Sequence, residues 1–345
     1  MHISEFDYAL PAELIAQEPL DRRDASRMLV LDRRKKEWFD SQFTSLPQYL
    51  RQNDLLVINN TRVFPARLIG QRYPSGGRVE VLLVRELEPL LWEALARPGH
   101  WLKRGAGLRF GDSKLCAEVV EVLPEGLRVL RFECNDPFDR VLDELGQTPL
   151  PPYIKRAAGS LPADRERYQT IYAQARGAIA APTAGLHFTE SVMNEAVARG
   201  ARFVEITLHV GYGTFEPIRV EDVQEHNVAA ERFQISAAAS ETINETRANG
   251  GRVIAVGTTT TRALESSVNP AGQIEPGERM AGITILPGYQ FKIVDALVTN
   301  FHLPRSSLLL LVCAFAGRKF LLDSYRHAVE ARYRFYSYGD CMLII

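Results

Sequence analysis

The chain has 345 residues and a formal net charge of −1, with 46% hydrophobic and 24% charged residues. This composition is ordinary for a globular protein, and the length favours two domains or one domain that carries an insertion. Because the overall charge is close to neutral, we exclude binding of nucleic acid through a strongly basic whole-molecule field. Any such partner is expected to bind local basic patches.

The cysteines and the apolar segments do not indicate an exported or membrane protein. The four cysteines lie far apart without C-x-x-C spacing, which favours reduced thiols over a disulfide framework or a zinc ribbon. Residues 1–17 carry acidic side chains early and show no apolar core of a secretory signal. The most apolar run, residues 306–317, is too short to span a bilayer and predicts a buried helix. We therefore expect a cytoplasmic protein without a membrane partner.

The first half of the chain contains many short segments of β character. The apolar residues 54–58 predict a buried strand. From Arg62 to about residue 130, alternating apolar and polar segments are separated by turns that contain Gly, Pro or Asp. Many short strands at regular spacing predict a small barrel or sandwich. The proline-rich residues 146–156 then predict an extended linker that closes this block.

After the linker the pattern changes to strand, loop and helix in turn. Thr189 and Ser306 are good N-caps for two of the predicted helices. We predict strands at 177–181, 201–210, 252–257 and 294–300, and helices at 190–199, 241–251, 258–267 and 307–317. This alternation is typical of an α/β sheet covered by helices on both faces.

These patterns predict an α/β fold in which a mixed-sheet main domain carries an inserted all-β barrel domain. We place the barrel domain at residues 62–151. Residues 1–61 and 152–345 then form one discontinuous catalytic domain. The prediction requires the strand at 54–58 to belong to the main sheet and not to a separate N-terminal fold.

Four predicted loops leave the carboxyl ends of strands, where the ligand crevice of an open α/β sheet lies. They span residues 182–188, 211–215, 258–262 and 301–306. We therefore expect one cleft that is faced by the polar residues of these loops: His187, His209, Thr258 to Thr261, Arg262, Asn300 and His302.

Each of these residues has an alternative interpretation. His187 lies between two apolar neighbours and could be a hydrogen-bonded core histidine, and His209 could simply end a strand. Three histidines could also bind zinc. No H-E-x-x-H spacing, carboxylate or thiolate accompanies them, so we expect no metal site. Arg262 could clamp a carboxylate or lie on a helix surface, whereas the threonines at the helix start suit a carboxylate or ribose hydroxyls.

Several motifs together resemble one family, the S-adenosylmethionine:tRNA ribosyltransferase-isomerases of queuosine biosynthesis. The resemblance rests on PTAGLHFT, HVGYGTF, VGTTTTRALES, RYRFYSYGD and the long C-terminal PGYQFKIVDALVTNFHLPRSSLLLLVCAFAG. In the N-terminal half, YALPAELIAQEPLDRRDASRML, NNTRVFPARL and TPLPPYIKR are similar to the family in the same order. The resemblance covers nearly the whole chain and implies an α/β domain with an inserted β-barrel.

The resemblance also implies a reaction. The ribosyl part of S-adenosylmethionine is transferred to 7-aminomethyl-7-deazaguanine at the wobble position of tRNA. It is isomerised to an epoxycyclopentane, which gives epoxyqueuosine and releases adenine and methionine. The implied partners are tRNA and S-adenosylmethionine, which is the ribosyl-donor substrate, with no other cofactor. We expect the protein to be a monomer.

This chemistry suggests roles for the loop residues. The sulfonium acidifies the adjacent C5′–H, and adenine leaves more readily when a ring nitrogen is protonated; histidine serves either step near neutral pH. We take His187 as acid or base, with His209 or His302 as its partner. The expected substrate-binding residues, including Arg262 or the threonines for the methionine carboxylate, are Thr183, Gly185, Gly211, Gly213, Thr214, Thr258, Thr259, Arg262 and Asn300.

One segment departs from the family pattern. Where the family usually shows His-x-Met-His-Ser-Glu, this chain has HNVAAE, with His226 and Glu231 kept and Val228, Ala229 and Ala230 between them. If the missing histidine contributes to catalysis, the departure predicts a slower reaction or an altered substrate.

Two other classes of protein fit parts of the sequence. One is a non-catalytic tRNA- or RNA-binding module of the same fold, and the other is a metal-dependent hydrolase built on the three histidines. Release of adenine separates the transferase from both, and metal content separates the hydrolase.

Overall fold

The computed structural model describes residues 1–156, 161–211, 213 and 218–345. The strands in this part of the chain are β1 (Arg27–Asp32), β2 (Glu37–Gln42), β3 (Leu55–Asn59), β4 (Thr61–Val63), β5 (Arg67–Tyr73), β6 (Arg78–Glu88), β7 (Leu91–Arg97), β8 (Gly107–Phe110), β9 (Leu115–Val122), β10 (Leu127–Cys134), β11 (Ala175–Ala178), β12 (Arg202–Leu208), β13 (Glu231–Ile235), β14 (Val253–Val256), β15 (Gly277–Ala281), β16 (Ala296–Asn300) and β17 (Cys341–Ile344). The α-helices are α1 (Phe138–Leu145), α2 (Pro162–Arg167), α3 (Glu190–Ala198), α4 (Ala237–Ala248), α5 (Thr258–Ser266), α6 (Ser307–Ala316) and α7 (Arg318–Glu330).

A nine-stranded mixed sheet forms the main part of the molecule, in the order β15-β13-β12-β3-β14-β16-β17-β1-β2. The four neighbours β12, β3, β14 and β16 run parallel. Their carboxyl ends therefore meet at one edge of the sheet. The predicted strand at 54–58 is confirmed as β3, which lies near the middle of this sheet.

The central strand β3 is buried on both faces. Leu55 and Val57 pack into the core beneath α4 to α7, while Leu56 and Ile58 pack into a second core beneath α3. An uninterrupted apolar run is the pattern expected of such a strand. The prediction of helices on both faces of the sheet is therefore confirmed.

A closed antiparallel barrel follows the short strand β4, in the order β10-β7-β6-β5-β8-β9. Alternate residues of its strands point inwards and form a separate core around Phe110 and Phe132. The barrel leaves the main sheet at the carboxyl end of β3, beside the edge where the parallel strands end. The predicted fold class, an α/β main sheet with an all-β barrel, is confirmed.

One predicted strand is in the wrong place. The segment expected at 177–181 ends earlier, as β11, and pairs with β4 instead of joining the large sheet. The pairing shifts register between Arg176 and Ala178, and Gly177 between them has φ 152°. This irregularity turns the chain toward the barrel side.

The remaining strand and helix predictions after the linker agree with β12, β14, β16, α3, α4, α5 and α6. Both predicted caps are present, because Thr189 Oγ1 accepts from Val192 N at 3.4 Å and Ser306 Oγ accepts from Leu309 N at 3.3 Å. Within the described ranges, no helix is both long and apolar enough to cross a membrane.

Candidate active site

A cavity of about 240 Å³ lies at the carboxyl ends of β14 and β16. It is smaller and slightly less open to solvent than the second cavity described below, and we call it the enclosed cavity. Its walls come from the loop before α3, the start of α5 and the loop between β16 and α6. Its polar lining residues include Thr183, Thr258, Thr259, Asn300 and His302.

The start of α5 gives this cavity a hydroxyl-bearing wall. Gly257, at φ 98°, makes the turn from β14 into the helix, a conformation that favours glycine. The hydroxyls of Thr260 and Thr261 donate to the carbonyls of Val256 and Gly257. These two therefore serve the helix, and Thr258 and Thr259 are the threonines of this run that line the cavity.

His302 lies in the wall of the enclosed cavity as a neutral side chain. Its Nε2 is 2.8 Å from Thr299 Oγ1. Burial lowers the pKa of His302 to about 3, because a charged imidazolium loses its hydration in the interior. His302 can therefore offer a hydrogen bond at neutral pH, but it is a weak proton acceptor.

His187 lies behind the wall and does not line the enclosed cavity. Its side chain is buried between Ser26 Oγ, 2.9 Å from Nδ1, and Asn300 Nδ2, 3.2 Å from Nε2. Burial, together with the positive charges of Arg334 and Arg23, lowers the pKa of His187 to about 3. Asn300, at the end of β16, therefore lines the enclosed cavity, whereas His187 does not.

A second cavity, larger and more open, lies between the barrel and the main sheet. This open cavity has a volume of about 810 Å³ and shares Val210 with the enclosed cavity, so the two are adjacent. Phe64 and Trp92 of the barrel side line it, with ring centroids 5.8 Å apart. Its charged lining residues are Arg85, Glu86, Glu93, Asp139, Arg176, Glu231, Arg232 and Glu278.

His209 lines the open cavity at the end of β12. Its Nδ1 lies 2.9 Å from Thr61 Oγ1. Burial and the charge of Arg232 lower its pKa below the usual value. Gly177 lies against the imidazole, and a Cβ there would be 2.7 Å from His209 Cε1. A glycine at this position therefore makes room for the histidine.

Arg262 lies behind the open cavity and lines neither cavity. Its Nη1 is 2.6 Å from Glu231 Oε2, and its other nitrogens donate to the carbonyls of Ala229, Ala281 and Ile283. Both side chains are almost fully buried. Glu231 Oε1 in turn accepts from Gly211 N at 3.1 Å. Arg262 thus supports the loop that carries Gly211.

The prediction of a single cleft is therefore wrong. The structure divides the expected residues between the enclosed cavity (Thr183, Thr258, Thr259, Asn300, His302) and the open cavity (His209, Gly211, Gly213), and places His187 and Arg262 behind them. Gly185 lies outside both and packs against Tyr172 and Thr170. Thr214 lies outside the described residues.

The three histidines do not converge on a common point, since each bonds a different hydroxyl group, on Ser26, Thr61 or Thr299. Among the residues that the structure describes, no group of three His, Cys, Asp or Glu side chains is arranged to hold a metal ion. The departing residues Val228, Ala229 and Ala230 all line the open cavity.

The sequence analysis missed several residues that shape the site. Tyr153 and Tyr336 line the enclosed cavity with ring centroids 4.2 Å apart, and Ser26 holds His187 from behind. Tyr336 belongs to the RYRFYSYGD motif, which contributes to the family resemblance but was not among the expected site residues. Its φ of 74° marks an unusual backbone that composition does not reveal.

The fold and the two cavities define an α/β protein whose candidate ligand site lies at the carboxyl ends of parallel strands, beside a β-barrel. The comparisons with known proteins narrow this class. Residues 3–344 match the family described as "Queuosine biosynthesis protein". The chain belongs to the family of queuosine biosynthesis proteins.

Named relatives agree with this family over their whole length. The S-adenosylmethionine:tRNA ribosyltransferase-isomerases of Desulforamulus reducens and Pelotomaculum thermopropionicum are 48% and 49% identical over 345 residues, which covers 100% of both chains in each comparison. A crystal structure of S-adenosylmethionine tRNA ribosyltransferase from Thermotoga maritima is similar with a TM-score of 0.55 and 38% identity. It covers 99% of this chain and is itself covered to 100%.

Proposed function

We propose that this chain is an S-adenosylmethionine:tRNA ribosyltransferase-isomerase. It transfers the ribosyl moiety of S-adenosylmethionine to 7-aminomethyl-7-deazaguanine at the wobble position of tRNA and isomerises it to epoxyqueuosine. Adenine and methionine are released. The observation that carries this conclusion is the full-length identity of 46–49% with relatives that bear this enzyme's name.

The two adjacent cavities suit a reaction between a small donor and a polymer. The enclosed cavity admits part of a small molecule, whereas the open cavity can receive a nucleotide that remains attached to its chain. Aromatic walls such as Phe64 and Trp92 suit an unstacked base, and arginines suit phosphates. Contact between the two cavities at Val210 would bring the ribosyl donor to the acceptor base.

The candidate base for removing the C5′ proton is His209, because it is the least buried of the three cleft histidines. His302 then serves as a neutral hydrogen-bonding group, since a group with a strongly lowered pKa is a poor base at neutral pH. Thr183, Thr258 and Thr259 contribute hydroxyls for the donor. Gly211, Gly213 and Thr214 belong to the loop for the acceptor nucleotide.

The role expected for Arg262 changes with its surroundings. Four oxygen acceptors already surround its guanidinium, so a methionine carboxylate would have to displace one of them. We assign Arg262 to holding Glu231 and the Gly211 backbone in place. Gly185 contributes through packing of its loop.

The proposed domain boundaries follow the barrel. The inserted barrel domain spans residues 62–151, and residues 1–61 with 152–345 form the catalytic domain. The pairing of β4 with β11 connects the two.

The proposed enzyme acts as a monomer in the cytoplasm and uses no cofactor beyond S-adenosylmethionine as donor. Light scattering of the purified protein tests this assignment.

Adenine release tests the proposed function. The protein is incubated with S-adenosylmethionine and tRNA that carries 7-aminomethyl-7-deazaguanine, and adenine is quantified by chromatography. We expect stoichiometric formation of adenine and epoxyqueuosine, and none with tRNA that carries guanine at the wobble position. Tight tRNA binding without adenine release would instead establish the non-catalytic RNA-binding module.

A further inference from the structure

The side-chain amide of Asn300 is held in one orientation from behind the enclosed cavity. Its Nδ2 donates to His187 Nε2 at 3.2 Å and to the Tyr336 carbonyl at 3.1 Å. These bonds use both amide hydrogens. A flipped amide would set Oδ1 against the Tyr336 carbonyl oxygen, which is unfavourable. Oδ1 therefore points away from these two acceptors.

His187 belongs to a directed chain of hydrogen bonds behind this amide. Because Nε2 accepts from Asn300, the ring proton lies on Nδ1, which donates to Ser26 Oγ at 2.9 Å. The Ser26 hydroxyl then donates to the Arg23 carbonyl at 3.4 Å. The lowered pKa of His187 keeps this neutral form at physiological pH. His187 thus acts as a fixed acceptor.

Two polar atoms of the cavity's lining residues lack a protein partner. Asn300 Oδ1 and the Tyr336 hydroxyl are buried, and neither has a hydrogen-bond partner within the part of the chain that the structure describes. Buried polar atoms in folded proteins nearly always have a partner. Both atoms belong to side chains of the cavity wall, so an unpaired acceptor and an unpaired hydroxyl there favour a ligand that supplies both complements.

The rest of the lining favours a neutral, planar ligand. It is mostly apolar and includes Ala181, Pro182, Val210, Leu303 and Leu308. Among the described lining residues, Arg305 is the one with a fixed charge, and Asp7 pairs with it. The methionine carboxylate of the donor would have to compete with Asp7 for Arg305, and its ammonium group would find no anion among the described lining residues. Adenine fits better, because its amino group donates beside a ring nitrogen that accepts.

We propose that the enclosed cavity binds the adenine ring of S-adenosylmethionine, with Asn300 Oδ1 accepting from the amino group and the Tyr336 hydroxyl donating to a neighbouring ring nitrogen. His187 is a positioning residue that fixes the Asn300 amide. This inference rests on the proposed function, which supplies S-adenosylmethionine as the ligand. The deazaguanine base of the tRNA also carries N–H donors, so the experiment must distinguish the two bases.

The first test changes the ligand and leaves the protein intact. Calorimetry without tRNA compares S-adenosylmethionine with an analogue in which purine replaces adenine, so that the amino group is absent. Wild-type protein should bind the analogue about 10-fold to 100-fold more weakly, because Asn300 Oδ1 then stays unpaired. Asn300→Leu should bind both compounds with equal, reduced affinity and should bind tRNA as the wild type does.

Two results would overturn the assignment of adenine to this cavity. One is equal affinity of the wild-type protein for both compounds. The other is an Asn300→Leu variant that loses affinity for tRNA and not for S-adenosylmethionine, which would place the tRNA base here. Failure of the proposed function looks different, because the wild-type protein would then neither bind S-adenosylmethionine nor release adenine.

The second test compares His187→Gln with His187→Leu. A glutamine oxygen can accept from Asn300 Nδ2 in place of Nε2, but it cannot take up a proton near neutral pH. Glutamine should recover most of the S-adenosylmethionine affinity that leucine loses, and the pH profile of kcat between pH 6 and 8 should keep its wild-type shape. If His187 instead exchanges a proton, both variants should be about 10²–10⁴-fold slower with nearly intact affinity.

Discussion

The enclosed and the open cavity lie side by side, but their walls differ in chemistry. Apart from Arg305, which pairs with Asp7, the polar side chains that line the enclosed cavity are uncharged, and two of them have no hydrogen-bond partner among the described residues. The open cavity is lined by charged side chains, most of which are already in ion pairs. Neutral, preset hydrogen-bonding groups suit a flat base, and paired charges that can exchange partners suit a polyanion. This difference supports the proposal that the small donor binds the enclosed cavity and the tRNA binds the open one.

The largest effect on stability should come from the buried ion pair behind the open cavity. Glu231→Ala leaves the Arg262 guanidinium without its anion in a buried place, and such a change costs about 3–5 kcal/mol. We expect a loss of this size in the free energy of unfolding, measured by urea denaturation.

A pair of the same cavity with an exposed cation provides the control. The Arg85 side chain is 67% exposed, and its Nη2 lies 2.9 Å from Oε1 of Glu93, whose side chain is 18% exposed. Glu93→Ala should cost no more than about 1 kcal/mol, because solvent screens the Arg85 charge that is left behind. Equal losses of unfolding free energy in Glu231→Ala and Glu93→Ala would contradict the distinction between the buried pair and the pair with the exposed arginine.

Two buried histidines, His302 in the wall of the enclosed cavity and His187 behind it, should make stability depend on pH. The unfolded chain protonates a histidine below about pH 6.5, whereas folded His187 and His302 stay neutral until about pH 3. The unfolded state then binds more protons, so stability falls as pH falls. As pH falls, each of the two histidines should lower the free energy of unfolding by about 1.4 kcal/mol per pH unit, or by about 2 kcal/mol between pH 6.5 and 5.

Urea denaturation at pH 7, 6 and 5 measures this loss. His187→Gln should show a shallower decline than the wild type by about one histidine's share, since glutamine does not titrate. A variant that declines as steeply as the wild type would mean that His187 becomes protonated in the folded protein.

A smaller effect is expected from a single arginine of the open cavity. Arg176 Nη1 lies 2.9 Å from Asp143 Oδ1, and a tRNA phosphate can replace this partner. Arg176→Gln should reduce the slope of log affinity for tRNA against log salt by about one, with unchanged affinity for S-adenosylmethionine. Arg199, the C-cap residue of α3, lines neither cavity and serves as the control. Arg199→Gln should leave the slope unchanged.

The sequence predicted much of the fold because the periodic patterns are local. The continuous apolar run of β3, the alternating barrel strands and the capped helices α3 and α6 each reflect burial of neighbouring residues. Strands β1 and β17 were not predicted. Their short apolar segments are stabilised by pairing with each other across the ends of the chain, and such distant pairing leaves no local pattern.

The candidate site was predicted less completely than the fold. The loops at strand ends located Asn300, His302 and Thr258 correctly at a cavity. Their division into two cavities depends on where the barrel packs, and the burial of His187 depends on Ser26, which is distant in sequence. Contacts between segments that are distant in sequence determine whether a side chain lines a cavity or packs behind it. The local hydrophobic pattern contains no information about such contacts.

A crystal structure of the protein with S-adenosylmethionine would show directly where the donor binds. We expect the adenine ring in the enclosed cavity, with its amino nitrogen within about 3.2 Å of Asn300 Oδ1, the range of an N–H···O hydrogen bond. Adenine bound in the open cavity beside Trp92, with Asn300 Oδ1 still unpaired, would overturn this assignment.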